Sequence, residues 1–230
     1  HSLYKEKNML HKCILLALII AFAHTINAQN PGGSGWVLKS EKDNVKVYYR
    51  KTAGVYELKL TTSVQTTLHG LIKLFSEAHL YNKWAYKVAE TRLLKKNSET
   101  DFYYYARIDF PWPMSDRDVV MHSTLYQNKD LTVVATSNAV SDFLPEKEGL
   151  VRMPKSTTRW ALFPGKDDWL YIEYYLYSDP GGNIPDWAVN MALEVGPMET
   201  IKNIRNIVSD PRYQTAVSYT HLTLPTICSV

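Results

Sequence analysis

From Trp36 onward apolar and polar positions follow two rhythms, and the changes between them divide the chain into elements. Val45-Lys46-Val47-Tyr48-Tyr49 and Tyr56-Glu57-Leu58-Lys59-Leu60 alternate with period two, the spacing of a half-buried strand, and Ala53-Gly54 between them suits a hairpin turn. Over Thr67 to Glu77 the period changes to that of a helix, with Leu68, Leu71, Ile72 and Phe75 on one stripe. A short helix or turn around His79 to Tyr86 carries Leu80 and Trp84. Strand patterns return at Lys87 to Lys95, Asp101 to Phe110, Asp118 to Gln127, Leu131 to Val140, Thr157 to Phe163 and Trp169 to Tyr177. With no helices between them, these runs predict an antiparallel sheet rather than a doubly wound parallel one. The turn cluster Asp179-Pro180-Gly181-Gly182-Asn183 leads into a long helix from about Pro185 to Val208, which Gly196-Pro197 is expected to kink or split.

A curved sheet of seven or eight strands needs one face covered, and this closing helix is the one long enough to cover it. Ala188, Met191, Ala192, Val195 and Met198 form a stripe of small and deformable side chains on it, a mixture that suits an adaptable binding surface and equally an ordinary core.

The ends read differently. Ile14 to Ala23 is an uninterrupted apolar run followed by the small-residue site Ile26-Asn27-Ala28, the form of a secretory signal cleaved before Gln29 and too short to span a bilayer. Residues 1–8 then read as upstream read-in before Met9, residues 29–35 as a linker, 36–213 as one domain and 214–230 as a tail foreign to the fold, with no Asp, Glu, Lys or Arg from Thr215 onward. The protein is expected to be exported, to a periplasm or the outside of the cell. Setting aside Lys5, Lys7, Lys12 and Glu6 lowers the formal charge from +3 to +1, so no basic face for nucleic acid is implied. Cys13 and Cys228 both fall outside the domain, which excludes thiol catalysis and Cys-based metal sites within it.

One motif carries more information than any periodicity. Pro111-Trp112-Pro113-Met114-Ser115-Asp116-Arg117-Asp118 lies between two strands. Its prolines end strand pairing, and its charged triplet offers Arg117 two carboxylates to clamp it, which reads as a rigid crossing. The segment resembles the Pro-Trp-Pro-x-Ser-Asp-Arg-Asp signature of START domains, the lipid-transfer domains related to steroidogenic acute regulatory protein. Gly35-Trp36-Val37-Leu38, Val151-Arg152-Met153 with Trp160 and Pro164, and Asp179 to Trp187 agree with the family in type and order. The resemblance spans about Trp36 to Arg212. It implies an α+β helix-grip fold, a curved antiparallel sheet wrapped around a C-terminal helix, with a hydrophobic tunnel for one lipid-like ligand. The signature residues Pro111, Trp112, Pro113, Asp116, Arg117 and Asp118 are expected to hold the fold.

Strand alternation and the helix stripe nominate Trp84, Tyr104, Ala106, Ile108, Trp160, Leu162, Ile172, Tyr174, Ala188, Met191, Ala192 and Val195 as tunnel-lining residues; a register slip of one would turn each set outward. The long irregular stretch Ser141 to Ser156 is the expected lid, closing with Phe143 and Leu150 and touching a bilayer transiently. No catalytic constellation stands out: His69, His79 and His122 form no i, i+4 pair, and Gly32-Gly33-Ser34-Gly35 is neither a nucleophile elbow nor a phosphate loop. The expectation is a monomeric, non-enzymatic carrier of a lipid or other hydrophobic molecule, requiring no cofactor or metal. A helix-grip enzyme of the polyketide cyclase type and a cavity-free interaction scaffold remain as alternatives.

Overall fold

The computed structural model describes residues 35–214; the apolar run, the cleavage site and the segment from Thr215 lie outside the described residues. Ten strands form a single sheet in the order β1-β2-β3-β10-β9-β7-β6-β5-β4, with the short β8 beside β6. The strands are β1 Val37–Lys42, β2 Val45–Thr52, β3 Val55–Gln65, β4 Val88–Ser98, β5 Asp101–Ile108, β6 Arg117–Gln127, β7 Val133–Ala139, β8 Val151–Arg152, β9 Lys155–Pro164 and β10 Trp169–Asp179. Every pairing is antiparallel except β6 with β8. The helices are α1 Leu68–Ser76, α2 Asp186–Val208 and α3 Pro211–Gln214, with a 3-10 turn at Ala78–Lys83. Gln214, set with the tail on sequence grounds, closes α3 and donates to the Val208 carbonyl at 2.6 Å.

Local chemistry accounts for the elements. Thr67 caps α1 by accepting from the Gly70 amide at 3.0 Å. Ala53 and Gly54 both have positive φ between the paired residues Thr52 and Val55, the geometry of a tight hairpin matched to strand twist. The pairing register sets one face of the sheet inward. Leu60 faces Tyr174 across β3 and β10, Tyr174 faces Trp160 across β10 and β9, and Trp160 faces Ala135 across β9 and β7. Met121 faces Tyr104 across β6 and β5. Leu60, Leu162, Leu170 and Ile172 on this face are almost completely buried, each worth roughly 1.5–3 kcal/mol of transfer free energy.

Helix α2 lies against this face and grips both ends of the sheet. On one side Arg205 donates to the Asp43 carbonyl at 2.8 Å and to Thr62 Oγ1 at 3.0 Å, and Lys39 of β1 pairs with Glu194 at 2.8 Å. On the other, Asn203 donates to the Trp84 carbonyl and Thr200 Oγ1 accepts from the Tyr86 amide. The helix runs unbroken through Gly196-Pro197, so the split that the sequence allows there does not occur. Both residues are buried, and a Cβ on Gly196 would come within 3.2 Å of the Tyr86 ring, so close packing against the segment before β4 offsets the cost of an interior proline. The buried residues of α2 are Ala188, Leu193, Gly196, Pro197, Ile201, Ile204 and Val208. The expected stripe is therefore partly misplaced: Ala192 is exposed and Val195 is 42% exposed, because the helix is rotated to seat Leu193 and Gly196 instead.

The charged triplet also differs from expectation. Arg117 is not clamped by its two neighbours. Asp116 accepts from Arg107 at 2.5 Å and from the Phe110 amide at 3.0 Å, while Asp118 takes a two-pronged bond from Arg152 at 2.7 and 3.0 Å, both side chains almost wholly buried. Strand alternation explains the division, since consecutive residues of β6 point to opposite faces. Arg117 instead donates to the carbonyls of Ser115, Pro180 and Gly181 at 2.5, 3.2 and 3.2 Å and lies over the Phe110 ring. It thus ties the Pro-Trp-Pro connection to the approach of α2, where Gly181 and Gly182 both adopt left-handed backbone at φ 68° and 70°. Trp112, placed among the fold-holding residues by its motif, is 89% exposed and carries no packing role.

The ion pairs of this region make unequal contributions. Replacing Arg152 with Ala leaves a buried carboxylate unpaired, and such losses cost about 3–5 kcal/mol. Arg50→Ala, at a partly exposed pair, should cost no more than about 1 kcal/mol. Chemical denaturation of the two variants should show this order; equal midpoints would contradict it.

Candidate functional site: an aromatic cluster on the inner face

Six rings meet on the inner face. Trp160 of β9 lies 4.1 Å from Tyr174 of β10, 5.1 Å from Phe75 of α1 and 6.2 Å from Trp84, measured between ring centroids. Tyr81 meets Trp84 at 4.9 Å and Tyr104 of β5 at 5.0 Å, both edge to face. The cluster thus draws on α1, the 3-10 turn, β5, β9 and β10, which are far apart in the chain and joined by the grip of the sheet.

Its polar atoms differ in how they are satisfied. The Tyr81 hydroxyl donates to the Phe75 carbonyl, and the Tyr104 hydroxyl interacts with Ser137, whose own hydroxyl donates to Ser123 at 3.1 Å. The Trp84 indole Nε1 is buried without a partner, as is the Thr91 hydroxyl of β4, which is paired in register with Ala106. Burial pushes the Tyr104 phenol up to about 12 and raises those of Tyr81 and Tyr174 as well. Tyr81 and Tyr174 nevertheless remain only half-buried by accessible surface.

Trp84, Tyr104, Ala106, Trp160, Leu162, Ile172 and Ala188 are buried, and Ile108, Tyr174 and Met191 half-buried. Only Trp84, Tyr104, Trp160 and Tyr174 among them share the ring cluster. Sequence reasoning left out Phe75, Tyr81, Ser123 and Ser137. Phe75 stood on the noted stripe of α1, Tyr81 precedes Trp84 by one turn, and the two serines alternate in phase with Met121 and Ala135; short polar residues on a strand are read by default as solvent-facing.

The expected lid lies elsewhere. Phe143 stacks on Tyr103 at 4.8 Å, and Tyr103 stacks on His122 at 4.3 Å. Tyr103 alternates with the core residues Phe102 and Tyr104, so the stack is on the outer face of the sheet. Arg152, bonded to the carbonyls of Ser141, Leu144 and Pro145, pins this stretch there, and Leu150 is half-buried within it.

A family model for the START domain matches residues 27–212. The chain belongs to the START domain family. An uncharacterised protein of Pseudomonas aeruginosa is 32% identical over 201 residues, covering 84% of this chain and 96% of that one. The phosphatidylcholine transfer protein of Rattus norvegicus is 26% identical over 183 residues, covering 75% and 83% of the two chains. Among solved structures, the STAR-related lipid transfer protein of Xanthomonas axonopodis aligns with a TM-score of 0.69 at 31% identity, covering 76% of this chain and 99% of that one. Human STARD10 aligns with a TM-score of 0.68 at 19% identity, covering 86% of each, a likeness of fold. This START domain therefore has the helix-grip architecture. Among its described residues no helix is long and apolar enough to cross a membrane, and no group of three or more His, Cys, Asp or Glu side chains could hold a metal ion.

The inner tyrosines should betray themselves on titration. A phenol held neutral in the folded state and ionising near its ordinary value of 10 once unfolded withdraws stability as pH rises, because the unfolded chain then releases the proton first. Stability should therefore be unaffected by Tyr104 below pH 10 and fall progressively above it toward about 12. Tyr104→Phe should flatten that part of the curve, read by denaturation at a series of alkaline pH values; an unchanged slope would place the phenol in solvent.

Proposed function

We propose that this START domain binds a lipid or other hydrophobic molecule between the sheet and α2 and transfers it between membrane surfaces. The observation that carries the reading is the state of Tyr81 and Tyr174. Burial raises both phenols, yet each keeps accessible surface, a combination expected of side chains facing an enclosed space rather than bulk water. The apolar inner face around them supplies a surface for an acyl chain or a ring system. The family match and the relatives named for phosphatidylcholine and lipid transfer support the same reading.

Substitutions on opposite sides of the structure separate it from a packed scaffold. Ala106 is 5% exposed on the inner face and Ala192 is exposed on α2. With fluorescent phosphatidylcholine in donor vesicles, Ala106→Trp should abolish uptake while the domain stays folded, whereas Ala192→Trp should leave uptake unchanged. If Ala106→Trp instead unfolds the domain, the interior is filled by its own side chains and the carrier reading fails.

We also propose where the membrane is touched. Trp112 is 89% exposed and Trp187, in the first turn of α2, is 50% exposed, and the Arg117 bonds hold their two segments together. Large amphipathic rings left in solvent suit the boundary between water and lipid headgroups. Replacing Trp112 and Trp187 together with Ser should slow transfer between vesicles several-fold with little change in melting temperature; transfer at the unmodified rate would move the contact elsewhere. The domain is proposed to work as a monomer outside the cytoplasm, a placement supported by the apolar run Ile14 to Ala23 and the small-residue site before Gln29.

A further inference from the structure

Among the polar atoms of the inner ring cluster, one buried donor is left unused. Trp84 is 5% exposed and its Nε1 has no hydrogen-bond partner; an indole nitrogen can only donate, so no lone pair relieves it. The residue cannot easily turn away. Its amide donates to the Tyr81 carbonyl, its carbonyl accepts from Asn203 of α2, and its ring is held by Phe75, Tyr81 and Trp160. Across Trp160 stands Tyr174, which is only half-buried. Native interiors rarely bury donors without an acceptor, and the exceptions call for an explanation.

The electrostatics narrow what the acceptor is. Three charged side chains are buried among the described residues, Arg117, Asp118 and Arg152, and each is satisfied at the β5–β6 crossing, away from the rings. None of these three therefore stands ready to neutralise a carboxylate or phosphate at the cluster. Several ring faces are taken by neighbouring ring edges, as Tyr81 packs on Trp84 and Tyr104, which leaves fewer open faces for a cation. We infer that Trp84 Nε1 is a polar subsite for an uncharged acceptor on the ligand, of the ester, ketone or ether class, buried within the otherwise apolar interior. This deepens the lipid-binding reading and rests on it.

The test compares two probes of similar length delivered from cyclodextrin, methyl palmitate, which carries an ester carbonyl, and octadecane, which carries no acceptor. In the unmodified protein the indole N–H resonance of Trp84, identified by its loss in Trp84→Phe, should move downfield with methyl palmitate and not with octadecane. Trp84→Phe should weaken methyl palmitate about three- to tenfold, the range of one net hydrogen bond, and leave octadecane unaffected. Tyr174→Phe, which removes no group of the subsite, should leave both probes unaffected, and if Trp84→Phe does not fold, the response of the indole resonances of the unmodified protein to the two probes decides. Equal loss for both probes, or an indole resonance that ignores the ester, overturns the subsite while leaving the carrier reading intact. Failure of both probes to bind the unmodified protein overturns the carrier reading and the subsite with it.

Discussion

The buried pair of Asp118 and Arg152 is the constraint around which the functional end of the molecule is arranged. Two charges so completely removed from water are tolerated only because their geometry is two-pronged and Arg152 spends its remaining donors on the carbonyls of Ser141, Leu144 and Pro145. The pair brings β8 alongside β6 and fastens the long connection between β7 and β9 to the outer face. With Asp118 engaged there, and Asp116 engaged with Arg107, Arg117 has no carboxylate of its own and turns to the backbone that leads into α2. Burial lowers the affinity of its guanidinium for a proton, but an arginine so placed stays charged. One triplet of alternating charges thereby fixes three parts of the fold.

From that arrangement follows the division of labour between the two faces of the sheet. The outer face takes the Asp118–Arg152 pair and the stacked rings of Phe143, Tyr103 and His122, with His122 bonded to Asp101 at 2.8 Å. The inner face takes aliphatic side chains, the ring cluster and hydroxyls that mostly satisfy one another.

Much of this was legible in the sequence, because strand alternation is a local signal. The sets 104, 106, 108 and 160, 162 and 172, 174 point inward as the alternation predicts, and the hairpin at Ala53-Gly54 follows from its turn residues. The helix was less readable: a stripe that includes Met191, Ala192 and Val195 is as apolar as one that includes Leu193, Gly196 and Ile201, and the choice is made by Tyr86 and Lys39, which lie more than a hundred residues away. The partners of the charged triplet were hidden for the same reason. Arg107 and Arg152 compete for carboxylates that, in the sequence, stand beside Arg117. The stretch expected as a lid shows the same limit, because apolar residues in a loop reveal that they will be covered, but not on which side of the sheet.

The strand order also constrains how the chain comes to be folded. β3 finds its neighbour in β10, so Leu60 waits for Tyr174 across more than a hundred residues. Until that late strand is available, the first three strands form a separate ribbon whose inner edge is unpaired, and such edges invite pairing with other chains. Long-range closure of this kind is slow. The inner face is therefore completed only by a pairing between segments at opposite ends of the domain's sequence, so its integrity is set by chain regions that no local signal joins.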